Sequence, residues 1–342
     1  MNRMNEANPS YQHQFFERLA ERFPSRSALV HAVAEDLHVG RDAIYRRLRG
    51  DTALTADEMM RLAEIYHLRT PISPPRAEQA SSLRYPDDHG PIRNEFDYFN
   101  QLHHRLEKLR RLPGARIDHA SPDLPLHYEL SMPVLRSFKI FIFGITTWNL
   151  EKWKGRPFST ELTGDALHRL VETTVQQQYS MPTREIWSVG ALDVTLRQVN
   201  YMAQIGGFAN PDDLEQIFSE LYRLVDHLEQ QVRFGRRFPP GTRPGPGAPD
   251  FRVYHNELSS TNNIVLVNSD IRPFLFSSLL TPNYVASSDP DLCAEAQTWF
   301  DNLVERGSAL HETGKYAAQY FGYLRNLIRR YEERSRVGEY VF

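Results

Sequence analysis

The chain has a single cysteine, Cys293, in 342 residues. No intramolecular disulfide can form and no cysteine cluster can hold zinc, so covalent staples and thiolate metal sites are excluded. A lone cysteine within a helix reads as a small buried apolar residue in preference to a redox sensor. Lysine is scarce too, since Lys108, Lys139, Lys152, Lys154 and Lys315 are the only lysines among 40 basic residues. So strong a preference for arginine points to a GC-rich genome before it points to selection for phosphate binding. Long apolar runs are missing. Phe138 to Leu150 comes nearest, but Lys139, Thr146, Thr147 and Asn149 interrupt it. A membrane helix needs about 20 apolar residues, so this segment reads as a buried helix. The start of the chain, MNRMNEANPS, has no apolar signal core. Together these absences lead us to expect a cytoplasmic protein that does not engage membranes.

Catalytic signatures are missing as well. The chain has no phosphate-cradling glycine loop with a following lysine, no glycine-serine-glycine elbow and no HExxH pair. His103 and His104 are adjacent on an expected helix and point in different directions, which is poor geometry for a shared metal. His255, Glu257 and Asp270 could gather near a cluster of strands, although polar residues at strand ends are ordinarily loop residues. The expectation is no enzyme activity, no cofactor and no metal; an enzyme-like C-terminal domain is kept as an alternative. Trp148, Trp153, Trp187, Tyr201 and Phe208 could line a ligand pocket, and core packing accounts for them more simply.

With 41% hydrophobic residues, the chain can bury a sizeable core, and its length suits two or three domains. Two composition shifts divide it. Residues 71–92 are rich in proline and serine and read as a stiff linker. Residues 239–250, PPGTRPGPGAPD, read as a flexible loop. The remainder falls into an all-α region over residues 1–70 and an α+β region over 93–342, a multidomain organisation. In the second region, spacing predicts helices over 93–112, 134–149, 163–179, 212–234, 290–304 and 316–334. Arg184 to Ala203 reads as mostly helix, and PDLPLHYELSMP as a turn-rich connection. Strands are predicted over 115–120, 251–257, 263–268, 271–276 and 284–287. The helix over 93–112 has two readings, pairing with its copy in a dimer or packing on its own domain.

The N-terminal region is the most informative. Phe15, Phe16 and Leu19 suit a first helix, and Ser25 or Ser27 can cap a second. Thr55 to Glu58 is a capping box for a helix carrying Met59, Leu62, Ala63 and Tyr66 at core spacing. Between them, residues 33–50 read VAEDLHVGRDAIYRRLRG. Val33, Ala34 and Leu37 form an inner face, His38 to Gly40 a three-residue turn, and Arg41 to Arg49 a second helix. Ile44 and Leu48 can face the core, so Arg41, Asp42, Tyr45, Arg46 and Arg49 project outward. The formal charge is only −3, and the first 70 residues balance ten arginines against ten acids. Attraction to polyanions must then come from the local cluster of Arg41, Arg46, Arg47 and Arg49.

This segment resembles the Cro and phage-repressor (XRE-like) class of helix-turn-helix domain found in bacterial transcription regulators, over about a fifth of the chain. Ala34, Val39 and Ile44 match the family's small residue in the second helix, its hydrophobic residue in the turn and its branched residue in the recognition helix. The family often has glycine where this chain has His38, and a hydroxyl cap where it has Gly40. Histidine tolerates the left-handed conformation better than most residues, and glycine can cap. The resemblance implies base contacts from Gly40, Arg41, Asp42, Ala43, Tyr45 and Arg46, and phosphate contacts from Arg47 and Arg49. It further implies a homodimer on double-stranded DNA with a palindromic operator. The C-terminal region would then modulate affinity in response to a small-molecule or protein effector. Segments such as DLPLHYELSMPVLRSFKIF and YHNELSSTNNIVLV resemble C-terminal regions of uncharacterised helix-turn-helix proteins, a likeness that brings no ligand with it. The alternative is that the arginines solubilise a helical module acting as a protein-interaction scaffold.

Overall fold

The computed structural model describes residues 10–20, 22–23, 25–66, 92, 94–258, 263–312 and 314–337. The chain divides into two compact units, Met1–Ala80 and Ser81–Phe342. The linker expected over 71–92 lies outside the described residues apart from Ile92.

The first unit has four helices among its described residues: α1 (Tyr11–Ala20), α2 (Arg26–Asp36), α3 (Arg41–Arg49) and α4 (Ala56–Ile65). Their start signals lie in the side chains. The Ser25 hydroxyl accepts from Ala28 N, and Thr55 and Glu58 form a reciprocal capping box. One core joins all four helices, with Phe15, Leu19, Val33, Ile44 and Leu62 among its fully buried members. Each such side chain contributes about 1.5–3 kcal/mol on leaving water.

The second unit is a mixed α+β fold. Its seven-stranded sheet runs in the order β6-β5-β4-β1-β2-β3-β7. The strands are β1 (Arg116–Ala120), β2 (Thr183–Trp187), β3 (Phe251–His255), β4 (Ile264–Asn268), β5 (Phe274–Leu280), β6 (Asn283–Ser287) and β7 (Ser308–Ala309). The central three are parallel, and the flanking strands pair antiparallel. The helices are α5 (Glu95–Arg110), α6 (Leu126–Leu130), α7 (Pro133–Ile145), α8 (Asp165–Gln178), α9 (Asp193–Gln204), α10 (Pro211–Phe234), α11 (Pro290–Glu305) and α12 (Gly314–Val337).

Strand alternation sorts the two faces. Ala120, Ile186 and Leu266 point to α11 and meet Cys293 and Phe300. On that face Arg184 grips Asp118 through two hydrogen bonds, Nε to Oδ1 at 2.8 Å and Nη2 to Oδ2 at 2.7 Å, and reaches Asp301 of α11 at 3.0 Å. Asp118 and Arg184 are register partners on parallel strands, so one bidentate pair ties β1, β2 and α11 together. The opposite face, with Ile117 and Met181, packs under Leu106 and Leu109 of α5. Trp187, Phe251 and Val253 join the largest cluster, which takes in α7, α9, α10 and α12.

Two sequence expectations give way here. Arg184 to Ala203 is not one helix; it supplies β2 and, after a break, α9. β2 is interior and flanked by parallel neighbours, so four of its five residues are buried and the period-two signal is lost. The connection PDLPLHYELSMP contains α6, whose Tyr128 and Leu130 are core residues. Of the two readings of the helix over 93–112, α5 packs within its own unit, against α8 and the sheet. Residues 239–250 are held by Arg237 N to Pro249 O at 2.9 Å and by Arg236 Nη1 to Ala248 O at 3.1 Å.

Candidate nucleic-acid interface and buried cavity

The connection from α2 to α3 is built by backbone hydrogen bonds. His38 takes φ of 55°, Val39 N donates to Ala34 O at 3.0 Å, and His38 N donates to Glu35 O at 3.1 Å. This Schellman arrangement ends α2 and turns the chain into α3. Gly50, at φ of 81°, ends α3 in the same way, with Asp51 N bonded to Arg46 O at 2.9 Å. The C-terminal end of α3 is also clamped from α1. Gln12 Nε2 donates to Arg47 O at 2.6 Å and to Thr52 O at 2.8 Å, while its Oε1 accepts from Leu54 N at 2.7 Å. Nothing in the sequence pattern singles out Gln12, because its partners are backbone groups 35 to 42 residues away.

The residues singled out on α3 divide clearly. Ile44 is buried and Leu48 half-buried, facing the core. Gly40, Arg41, Asp42, Tyr45 and Arg46 are exposed, and Ala43 is half-buried. Arg41 Nη2 donates to His31 Nδ1 on α2 at 2.8 Å, and both side chains remain at the surface. Arg49 is exposed beside Asp51, with Nε to Oδ2 at 2.8 Å. Arg47 differs from what its place in the sequence suggests. Its side chain is 13% exposed, donates to Ala43 O at 3.4 Å and pairs with Glu58 of the capping box at 2.7 Å. Burial raises the Glu58 pKa, but the Thr55 backbone N–H and the Arg47 cation outweigh it and the net shift is downward.

In the second unit a cavity of about 110 Å³ lies between α5, α8 and the sheet face carrying Ile117 and Thr183. The α5 side presents Leu102, Leu106 and Leu109 together with Tyr98 and Arg105; the opposite side carries His119, His127, Glu185 and Arg237. His119 Nε2 donates to Asn263 Oδ1 at 2.6 Å, and Asn263 Nδ2 donates to Tyr284 Oη at 3.0 Å. Burial drives His119 down to about 4, with the Asn263 hydrogen bond opposing and the Arg237 charge adding. Burial and Arg237 also hold His127 well below the usual histidine range, so both rings are neutral at pH 7. Glu185 Oε1 accepts from Tyr128 at 2.9 Å and Oε2 from Trp187 Nε1 at 2.8 Å. Its pKa is raised by burial, against the pull of Arg237.

Arg237 follows the left-handed Gly235 that ends α10 and is 2% exposed. Its Nη1 donates to Thr183 Oγ1, and its Nη2 to His127 Nε2 at 2.8 Å. The guanidinium also lies over the Tyr179 and Phe251 rings, 5.5 and 5.9 Å from their centroids. The sequence pattern singles out none of these residues, because they come from five separate segments and the burial of β2 hides its alternation. A second cavity of about 400 Å³, near Ser121 and Pro122, is bordered by the Lys139–Glu129 pair at 3.3 Å. There Lys139 also donates to Thr195 and Gln198, both at 3.0 Å, so its charge is fully engaged.

The other expectations resolve as follows. His255 Nε2 meets Glu257 Oε1 at 2.5 Å and its Nδ1 meets Tyr316 Oη at 2.5 Å. Asp270 does not join them: the strand register places it at the opposite end of the sheet, where its N–H bonds Pro113 O at 2.9 Å. His103 contacts Gln177 and Thr174. No group of three or more His, Cys, Asp and Glu side chains is placed to hold a metal ion among the described residues. Trp148, Trp153 and Trp187 are core residues, Phe208 packs against the core, and Tyr201 is exposed. Among the described residues no helix is long and apolar enough to cross a membrane. No protein-family model matches the chain, and neither the curated proteins nor the solved structures give a significant match.

Proposed function

We propose that this protein is a sequence-specific DNA-binding transcription regulator in which α3 is the reading helix of a helix-turn-helix domain. The reading is carried by one observation: Ile44 and Leu48 seat α3 in the core, leaving Arg41, Asp42, Tyr45 and Arg46 together on the exposed face that begins at its N-terminus. Arginine pairs best with the two acceptors of guanine, and a good bidentate pair is worth about 1–3 kcal/mol of discrimination. Gly40 and Ala43 present no bulk at that end, so backbone can approach base edges. Arg49 at the far end suits phosphate. Arg47, engaged by Glu58, is left out of the DNA contacts. The protein acts as a cytoplasmic homodimer on a palindromic operator, and its α+β unit modulates DNA affinity in response to an effector.

Selection of bound fragments from the source genome by purified protein tests this, with the Arg41→Ala, Arg46→Ala double variant alongside. A palindrome enriched by the wild type alone is the expected result. Equal recovery of random DNA by both proteins would remove α3 from DNA reading and favour a protein-interaction role for the helical unit.

A further inference from the structure

Two histidines line the cavity between α5, α8 and the sheet, and their hydrogen bonds fix opposite tautomers. His127 Nε2 accepts from Arg237 Nη2 at 2.8 Å. A guanidinium keeps its protons, so Nε2 holds a lone pair and the ring proton sits on Nδ1. His119 is the reverse. Its Nε2 donates to Asn263 Oδ1 at 2.6 Å, because Asn263 Nδ2 is committed to Tyr284 Oη, and burial keeps the ring from taking a second proton. His119 Nδ1 is therefore an acceptor and His127 Nδ1–H a donor, and neither has a hydrogen-bond partner among the described residues.

A second donor stands beside His127. Arg237 Nε, on the guanidinium bonded to that ring, is buried and also lacks a partner. The neighbouring groups do not supply the missing acceptor: Tyr128 and Trp187 hold the Glu185 oxygens and leave them 3.9 Å from the guanidinium, and Thr183 already accepts from it. Buried polar groups left unpaired are costly, so a molecule that completes this site brings an acceptor for His127 and a donor for His119.

The same surroundings disfavour ions. A carboxylate would set its lone pairs against His119 Nδ1 and the Glu185 carboxylate, and an ammonium has nothing with which to accept from His127. Arg105, also in the lining, has an interaction of its own and adds no free cation. An amide carries its acceptor and its donor on separate atoms, which lets it meet two rings at once. Leu102 and Leu106 of α5 with Val265 and Val267 of β4 give apolar contact for a short hydrocarbon body. Since a cavity of about 150 Å³ takes up benzene, one of about 110 Å³ suits a molecule of roughly five or six heavy atoms.

We propose that this cavity binds a small uncharged primary amide, its carbonyl oxygen on His127 Nδ1–H, its N–H on His119 Nδ1 and its hydrocarbon body between the α5 leucines and the β4 valines. As the effector site of a regulator this inference rests on the function proposed above. As a binding site it stands on the cavity alone, and a titration without DNA reads the second independently of the first.

The experiment adds propanamide or butanamide to the full chain, isotope-labelled at its histidine nitrogens, and follows the imidazole signals by NMR without DNA. The free protein should show His119 as the Nε2–H tautomer and His127 as the Nδ1–H tautomer. At least one amide should saturate and shift both rings, binding at least fivefold more tightly than the methyl ketone of equal size and than the matching carboxylate. His119→Leu should erase the preference for amide over ketone, since only the amide has an N–H to give. Leu102→Trp should fill the cavity and abolish binding, and it decides the matter if the His119 variant fails to fold. Other tautomers, no saturation by either amide, a ketone or carboxylate that binds as tightly, or amide binding unchanged in the folded variants would overturn the assignment.

Discussion

The Arg47 guanidinium lies 2.7 Å from the Glu58 carboxylate, which also closes the capping box of α4. Two neighbouring arginines of one helix therefore have different duties. Arg47→Ala should lower the stability of the helical unit by about 1 kcal/mol, since the pair is largely shielded from solvent. Arg46→Ala should leave the melting temperature unchanged and reduce DNA affinity together with its salt slope. Thermal melts and anisotropy titrations at several salt concentrations separate the two; equal effects of both variants on melting would contradict the division.

His38 holds the turn before α3 at φ of 55°. A β-branched residue there pays the left-handed penalty in full, so His38→Val should destabilise the helical unit by about 1–2 kcal/mol. His38→Gly should cost far less. Urea midpoints of the two variants provide the comparison, and a Val variant as stable as the Gly variant would show that the turn is not under that constraint.

Gly144 sits in α7 where an added Cβ would come within 2.2 Å of the Trp153 ring. Glycine to alanine within a helix normally stabilises by up to about 1 kcal/mol. Here the sign should reverse, with Gly144→Ala costing about 1–3 kcal/mol through overpacking. A rise in the denaturation midpoint would refute this.

Acid should weaken the second unit through His119 and His227. Burial is the main cause in both and holds each near 4, below the ordinary value of 6.5. Between those values the unfolded chain binds more protons than the folded one, so stability rises with pH across the window and is lost as pH falls from 6.5 towards 4. Each histidine accounts for a loss on the order of 3 kcal/mol. Denaturant midpoints at pH 7.0 and 4.5 should show the drop, and His119→Gln and His227→Gln should each flatten it. A slope identical in wild type and both variants would place the acid sensitivity elsewhere.

Much of the helical unit was legible in the sequence, because its determinants are local. Ser25, the Thr55–Glu58 box, His38 in the left-handed turn and the Ile44–Leu48 spacing all act within a few residues of themselves. The span Arg41–Arg49 for α3 follows from the same signals. The cavity was not legible. Thr183 and Glu185 belong to an interior parallel strand whose burial erases the alternation that would have marked it. Arg237 looks like one of many surface arginines until the fold encloses it. Gln12 and Arg47 fell between these cases: both are polar residues on helices that look like solvent-facing positions, and only the assembled unit gives them partners.

The place of β1 in the sheet carries a consequence for synthesis. Ala120 pairs with Ile186 on one side and with Ile264 on the other, so a strand made early lies between partners made much later. At about 5–20 residues per second, the ribosome takes on the order of ten seconds to supply the second partner after β1 itself emerges. During that interval the edge of β1 that later receives β4 has no strand to pair with. The sheet of the second unit can therefore be completed only after β4 has been made, whatever the helices before it have already buried.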